Sequence, residues 1–140
     1  MPHKHEGVGS NPTPAIWSPL ADFTIPAVPP SKNDYQRGGR HWSWRAAQAK
    51  VWHDLVWVAL RSVATPIVSN EPVEVEITFY TQRPRDPGNM HEFVLDGMVK
   101  AKAIPDDSRD VVRWLHLASR SCKEHPTGKP ATRVRIWRAQ

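Results

Sequence analysis

The clearest pattern along the chain is a strict alternation of apolar and polar residues at positions 73–80. Val73, Val75, Ile77 and Phe79 fall on one side of an extended segment, and glutamate, threonine and tyrosine fall on the other. Successive side chains of a strand point to opposite faces, so the pattern predicts a half-buried β-strand. Further strands are predicted at residues 23–25, 110–119 and 132–138.

Two other segments show helical periodicity. Over residues 44–63 apolar side chains recur every three or four positions, and Ser43 can cap the first turn. The stripe predicted to face a sheet consists of Trp44, Ala47, Val51, Leu55, Val58, Ala59 and Ser62. Trp52, Val56 and Trp57 fall outside this stripe. They indicate either a deeply buried helix or a contact with a second subunit, and we slightly favour the subunit contact.

The second helix is predicted at residues 89–101, with an apolar face made of Met90, Phe93, Val94, Gly97, Met98 and Ala101. These elements together predict one α+β domain, residues 22–140, in which two helices pack on a mixed β-sheet. Seven of the fourteen prolines lie in the first thirty residues. Because residues 1–21 also contain few apolar side chains, we expect them to form a disordered tail.

Charge is distributed unevenly along the chain. The net charge is +5, and residues 99–140 contain ten Lys or Arg against four Asp or Glu. A basic C-terminal part suits contact with phosphates, although a solvated surface explains many basic proteins equally well. The single cysteine, Cys122, excludes an intramolecular disulfide. No apolar run approaches the roughly 20 residues that span a bilayer, and no signal peptide is evident, so we expect a cytoplasmic protein.

Acidic side chains cluster at both ends of the second predicted helix. Asp86 stands in a proline-broken loop before it, and Asp106 and Asp107 stand in the turn after it. Magnesium prefers oxygen ligands and keeps several waters, so two or three such carboxylates suffice to hold it beside a phosphate. The alternative is that Asp86 caps a loop and that the other two form a solvated turn.

Three motifs resemble those of the RusA family of Holliday-junction resolvases, in that family's order and approximate spacing. Residues 29–33 read Pro-Pro-Ser-Lys-Asn, residues 85–89 read Arg-Asp-Pro-Gly-Asn, and Asp106 and Asp107 follow. Asp96 also falls where the family has an aspartate inside the helix. The resemblance spans about residues 23–136. It implies a magnesium-dependent endonuclease that cleaves four-way junctions or other branched DNA by phosphodiester hydrolysis, in recombination or repair, as a homodimer of bacterial or phage origin.

The resemblance also implies three metal-binding carboxylates, of which one is missing. Gly88 stands where the family has its second aspartate, and Glu92 stands where the family usually has a lysine. If the helix starts by Gly88, these two positions, four apart, lie on one helical face about 5–6 Å from each other, so Glu92 can supply the lost carboxylate. His91 or Lys100 would then replace the lost cation. The alternative is that Glu92 is only a favourable acid in a first helical turn.

The predicted site residues follow from these motifs. The predicted catalytic carboxylates are Asp86, Asp107 and Glu92, and the predicted ligands of one or two magnesium ions are these three and Asp106. The predicted DNA contacts are Lys32, Arg83, Arg85, Asn89, Lys100, Lys123, Lys129, Arg133 and Arg135. Two alternatives remain open. The chain can be a non-catalytic DNA-binding protein that lost its metal site with the change to Gly88, or a basic adaptor that binds another protein.

Overall fold

The computed structural model describes residues 19–31, 42–61, 63 and 71–139. In chain order its elements are strand β1 (Ala21–Ile25), helix α1 (Trp42–Leu60), strand β2 (Val73–Thr81), helix α2 (Glu92–Lys100), strand β3 (Val112–Ser121) and strand β4 (Ala131–Arg138). One-turn 3-10 helices lie at Pro87–Asn89 and Cys122–Glu124. The predicted α+β class is therefore confirmed. Residues 1–18 of the predicted tail, and Lys32, lie outside the described residues.

The four strands form one mixed sheet in the order β1-β4-β2-β3. β4 pairs antiparallel with both β1 and β2, whereas β2 and β3 are parallel and are joined through α2. At the centre of the sheet Ile77 lies opposite Val134 on one side and Leu117 on the other. Directly paired residues share a face, so the apolar side chains of three strands converge on one side.

The core lies on the face of the sheet that the two helices cover. Val75, Ile77, Val134 and Ile136 are fully buried there, together with Trp52 and Val56 of α1 and Val94 and Met98 of α2. Burial of these side chains is the main driving force for the fold, at roughly 25 cal/mol for each Å² of apolar surface. The predicted inward face of β2 and the inward orientation of alternate β4 residues are confirmed. The prediction that β2 is only half-buried was wrong, because Glu74 and Thr78 on its other face are 4% and 7% exposed.

The prediction of which face of α1 is buried was only partly right, because Trp44, Leu55 and Ala59 of the predicted stripe pack against the core but Val51 and Val58 do not. Trp52 and Val56 are 2% and 0% exposed, whereas Val51 and Val58 of the predicted stripe are 47% and 59% exposed. Most residues between Val51 and Leu60 are apolar, so the helical period alone does not single out one face. The favoured assignment of Trp52 and Val56 to a subunit contact is corrected with it, because both side chains lie in the core of one chain.

Helix α2 begins three residues later than predicted. Pro87 starts a separate 3-10 turn, which Asp86 caps by accepting a hydrogen bond from the Gly88 amide at 2.9 Å. The α-helix then begins at Glu92. Its predicted apolar face is confirmed, with Phe93, Val94, Gly97 and Met98 buried and Leu95 added to them.

Gly97 is the point of closest approach between α1 and α2. A Cβ atom at this position would lie 3.0 Å from both the Trp52 carbonyl oxygen and Val56 Cγ2. We expect Gly97→Val to lower the free energy of unfolding by about 1–3 kcal/mol, because overpacking forces the helices apart. Chemical denaturation measures the change. Lys100→Val, which adds the same side chain at the exposed end of α2, is the control, and equal effects of the two variants would contradict the close contact.

Candidate nucleic-acid interface

Sheet topology gathers three loops at one end of the molecule. Thr81 at the end of β2 pairs with Ser121 at the end of β3, and Tyr80 pairs with Ala131 at the start of β4. Ile25, the last residue of β1, lies opposite Thr132. The segments 26–31, 82–86 and 122–130 therefore meet at the same edge of the sheet. We call this edge the basic end.

The basic end is rich in exposed cations. Its exposed Lys and Arg side chains are Arg83, Arg85, Arg120, Lys123 and Lys129, and its exposed acids are Asp86 and Glu124. Four of these five cations were predicted as DNA contacts, and Arg120 was missed. The signal for Arg120 was available only through topology, because its nearness to Arg83 and Arg85 depends on the parallel pairing of β2 and β3.

Two cavities flank the loop that follows β2. The first, of about 430 Å³, lies between this loop and Pro29, Pro30 and Pro130. The second, of about 410 Å³, lies between the loop and the end of β3. Residues 81–83 and Arg85 line both cavities. The first cavity thus brings together Pro29 and Pro30 of the first motif and Arg85 of the second.

Local hydrogen bonds shape the loop that carries the predicted arginines and Asp86. The Thr81 hydroxyl donates to the Arg83 carbonyl oxygen at 2.7 Å, which bends the chain directly after the strand. Asp86 is exposed, its Oδ1 accepts from the Gly88 amide, and its Oδ2 lies 3.5 Å from Asn89 Nδ2. Asp86 therefore caps the turn, as the alternative interpretation proposed, and still presents carboxylate oxygens to solvent.

Glu92 lies in the first turn of α2, and its carboxylate is directed toward α1. Its Oε2 atom lies 3.8 Å from an Nη of Arg45, and both side chains are about half exposed. An exposed pair of this kind contributes little to stability. The premise of a relocated metal ligand was wrong, because Gly88 lies in the 3-10 turn and α2 begins only at Glu92, so the two positions do not share one α-helical face. The ion pair with Arg45 is a second, structural role for Glu92.

Asp106 and Asp107 are connected to the other end of the β2–β3 pair. Both precede β3, whose first residue, Val112, pairs with Val73 at the start of β2. Asp86, by contrast, follows the end of β2. Asp106 forms a tight turn in which its carboxylate accepts from the Ser108 amide at 2.7 Å. The hydroxyl and the amide of Ser108 hold the pKa of the Asp106 carboxyl below its ordinary value.

The predicted magnesium ligands do not form a preassembled site. Within the part of the chain that the structure describes, no three His, Cys, Asp or Glu side chains are placed to hold a metal ion together. The set Asp86, Asp107 and Glu92 therefore does not fit magnesium as a closed three-carboxylate group. Asp86 alone fits a different arrangement, because magnesium in phosphate-processing sites is commonly bound by one or two carboxylates, waters and substrate oxygens.

Three other predicted DNA contacts, Lys100, Arg133 and Arg135, are paired with acids on the protein. Lys100 Nζ lies 3.1 Å from Asp96 on the same helix. Arg133 donates two hydrogen bonds to Asp22, which raise the pKa of its guanidinium. Arg135 is paired in the same way with Glu76 and lies over the Trp137 ring. A carboxylate of the protein lies beside each of these three charges, whereas the basic end presents five exposed cations at one edge of the sheet.

Comparison with known proteins adds no relative. No protein-family model matches the sequence, and no curated protein matches it. The resemblance to junction resolvases therefore rests on the three motifs of this chain. Among the described residues, no helix combines the length and the apolar character needed to span a bilayer.

Proposed function

We propose that the protein is a magnesium-dependent endonuclease that cleaves four-way junctions or other branched DNA by phosphodiester hydrolysis. The observation that carries this proposal is that Pro29 and Pro30 of the first resolvase-like motif and Arg85 of the second line one cavity at the basic end. There Arg83 and Arg85 line two cavities directly before the exposed carboxylate of Asp86. A backbone phosphate bound by these arginines would lie close to the acid that is expected to hold the metal.

In this proposal each side chain has a separate task. Arg83 and Arg85 bind and orient the phosphodiester, because a guanidinium offers paired donors that match phosphate oxygens. Asp86 would hold a magnesium ion, with Asp107 as the predicted second carboxylate. Magnesium bound there would supply an activated water molecule and a positive charge for the leaving oxygen. Lys123 and Lys129 extend the positive surface along the flanking duplex.

A homodimer is part of the proposal, because two active sites related by a twofold axis suit two opposed strands of a junction. We also propose a cytoplasmic location, where such DNA would be met.

Non-catalytic DNA binding is the second candidate. Two observations favour it, the glycine at position 88 and the absence of a three-ligand metal group among the described residues. Such a protein would keep the arginines of the basic end and bind branched DNA without cutting it.

Cleavage of a synthetic four-way junction tests the proposal. With magnesium present we expect the junction to be nicked at least about tenfold faster than a linear duplex of the same sequence. The reason is that two opposed strands of a junction can reach the two active sites of one dimer. Replacing magnesium by EDTA should stop cleavage and leave DNA binding in place. Binding that is sensitive to salt, with no cleavage at any magnesium concentration, would favour the non-catalytic candidate. If the protein shows no salt-sensitive binding to DNA, the endonuclease and the non-catalytic DNA-binding candidates are both overturned. An adaptor that binds another protein is then favoured.

A further inference from the structure

Strand β3 is an outermost strand of the sheet in the part of the chain that the structure describes, where β2 is its neighbour on one side. It is ten residues long. An outermost strand presents a row of unpaired amide and carbonyl groups, so proteins usually protect it with charged residues, proline or a bulge. The register of β3 shifts only at its start, and residues 114–119 contain no proline and no Asp, Glu, Lys or Arg. The outer side of β3 is therefore suited to pairing with a further strand.

The side chains of β3 alternate between the two faces of the sheet. Leu115 and Leu117 pair with core residues of β2, so they lie on the face that the helices cover, and both are only partly buried. Trp114 lies on the opposite face and is 51% exposed. Arg120 lies on the same face as Trp114, because six residues separate the two along the strand. The outer strand thus offers half-buried leucines on one face and an exposed ring and guanidinium on the other.

These side chains complement a second copy of the same strand. If two β3 strands pair antiparallel about a twofold axis at Leu117, the two Leu117 side chains meet on the axis, and Trp114 lies opposite Arg120 of the second copy. Directly paired residues share a face, so the guanidinium can lie over the exposed ring as a cation–π contact, twice in each dimer. Moving the axis to residue 116 or 118 removes this contact. The exposed ring therefore favours the register about Leu117.

Within one chain the Arg120 guanidinium has only a weak competitor for this contact in Glu124. Glu124 Oε1 lies 3.5 Å from Arg120 Nη1, and the two side chains are 53% and 55% exposed. An exposed pair of this kind contributes little, so it leaves the guanidinium able to turn toward the ring of a second copy.

We propose that the outer side of β3 is the dimer surface of the protein, to which a second copy adds its own β3 in antiparallel orientation. The inference rests on the proposed function, of which a homodimer is part, and it names the surface and the register of that dimer. The other outermost strand, β1, has five residues and is followed by Pro26, so it is a poorer template and pairing ends at two copies.

This pairing has a consequence for the two basic ends. Each basic end lies at the end of β3, at Ser121, and antiparallel strands run in opposite directions. About Leu117 the two Ser121 residues are separated by roughly 27 Å along the strand direction, at about 3.4 Å for each residue. The two candidate sites therefore lie at opposite ends of the joined strands, where two separate DNA strands can reach them.

Cysteine cross-linking tests the register. Leu117→Cys and Leu115→Cys place the same thiol on the same face of β3, each in a Cys122→Ser background that contains no other cysteine. Opposed Cα atoms of an antiparallel pair lie about 4.5–5.5 Å apart, a distance that a disulfide spans. Mild oxidation of Leu117→Cys should give a covalent dimer, whereas the Leu115→Cys positions lie about 13 Å apart along the strands and should not link. A covalent dimer from Leu115→Cys and none from Leu117→Cys would overturn the register.

Trp114→Lys tests the surface without a cross-link. The matched control is Trp57→Lys, because Trp57 on α1 is a tryptophan of similar exposure, 49%. Sedimentation measures the monomer–dimer dissociation constant of each variant. Trp114→Lys should raise this constant at least about tenfold, because two cation–π contacts become two pairs of like charges. Adding Arg120→Glu should restore most of the affinity through opposite charges, and Trp57→Lys should change the constant by less than about twofold.

The outcomes separate the interface from the proposed function. Equal dissociation constants of Trp114→Lys and Trp57→Lys would overturn the interface. A wild type that is monomeric at every concentration would also overturn it and leave the outer side of β3 for a strand of a different protein. If that monomer still cleaves the junction, the proposed activity stands without this surface. A cross-linked dimer that shows no salt-sensitive DNA binding would support the interface and overturn the proposed function instead.

Discussion

Asp86→Asn is expected to lower magnesium-dependent cleavage of a four-way junction by at least about a hundredfold, while DNA binding stays the same or becomes slightly tighter. The substitution removes a negative charge beside the phosphate and leaves a poorer magnesium ligand. Asparagine keeps a side-chain oxygen that can accept from the Gly88 amide, so the cap of the 3-10 turn is retained. Cleavage rates at saturating protein, together with binding in EDTA, measure the two effects separately.

Asp110→Asn is the matched control for this experiment. Asp110 is an exposed acid in the turn before β3, and none of the motifs includes it. Its replacement makes the same change in net charge at a distance from the basic end, so cleavage should remain close to the wild-type rate. If Asp86→Asn and Asp110→Asn cleave equally well, Asp86 has no role in holding the metal and serves only as a cap.

Asp107→Asn completes the same series. The resemblance to the resolvase family predicts that Asp107→Asn strongly lowers cleavage and changes DNA binding little. The topology makes this result informative, because Asp86 and Asp107 are attached to opposite ends of the β2–β3 pair. A loss comparable to that of Asp86→Asn would mean that the loops 82–91 and 101–111 bring the two carboxylates to one ion. Weakened DNA binding instead would make Asp107 a structural residue.

The strands could be predicted because their patterns have one interpretation. In β2 the alternation puts Val75 and Ile77 on one face, and in β4 it does the same for Val134 and Ile136. A shift by one residue would move all four away from the face that the helices cover, so the pattern specifies which face packs on the helices. The sequence pattern of α1 did not distinguish its buried face from its exposed face in the same way. Its second half is apolar on every side, and the observed choice depends on Gly97, which belongs to a different helix.

The candidate site could be predicted only in part for a related reason. Arg83, Arg85 and Asp86 are neighbours in the chain, so a local motif reveals them. Arg120 reaches the same cavity through the pairing of two parallel strands, which the order of residues does not display. The same topology attaches Asp86 to the end of β2 and Asp107 to the start of β3, which are opposite ends of the β2–β3 pair. The motifs in the sequence, by contrast, suggest that the two residues act together.

The largest gain of function is expected at position 88. A Cβ atom on Gly88 would lie 3.2 Å from Asp86 Oδ1, so a carboxylate introduced there stands directly beside the existing one. Two adjacent carboxylates repel each other until a cation binds between them, and this raises the affinity for magnesium. We expect Gly88→Asp to bind magnesium about tenfold more tightly than the wild type and to cleave the junction faster at low magnesium. Gly88→Asn, which has the same shape without the charge, is the control.

Glu92 decides whether the natural protein already compensates for the glycine. If Glu92 is the relocated ligand, Glu92→Gln lowers cleavage by orders of magnitude at fixed magnesium. Glu92→Lys also loses cleavage, because it restores the lysine of the resolvase family without the aspartate that the family has at position 88. If Glu92 only pairs with Arg45, Glu92→Gln cleaves at the wild-type rate, and Asp106 or Asp96 becomes the next candidate ligand.

The double variant Gly88→Asp, Glu92→Lys rebuilds the arrangement of the resolvase family on this chain, with an acid beside Asp86 and a cation at the first residue of α2. We expect it to cleave the junction at least about tenfold faster than Glu92→Lys alone, because the metal site and the cation for the phosphate are restored together. A wild type that binds without cutting, combined with an active double variant, would identify the natural protein as a resolvase-like chain that lost cleavage at Gly88. A double variant that binds the junction normally but never cuts it would contradict both the relocation and the loss, since Asp86 would then lie in no magnesium site that an added carboxylate can complete.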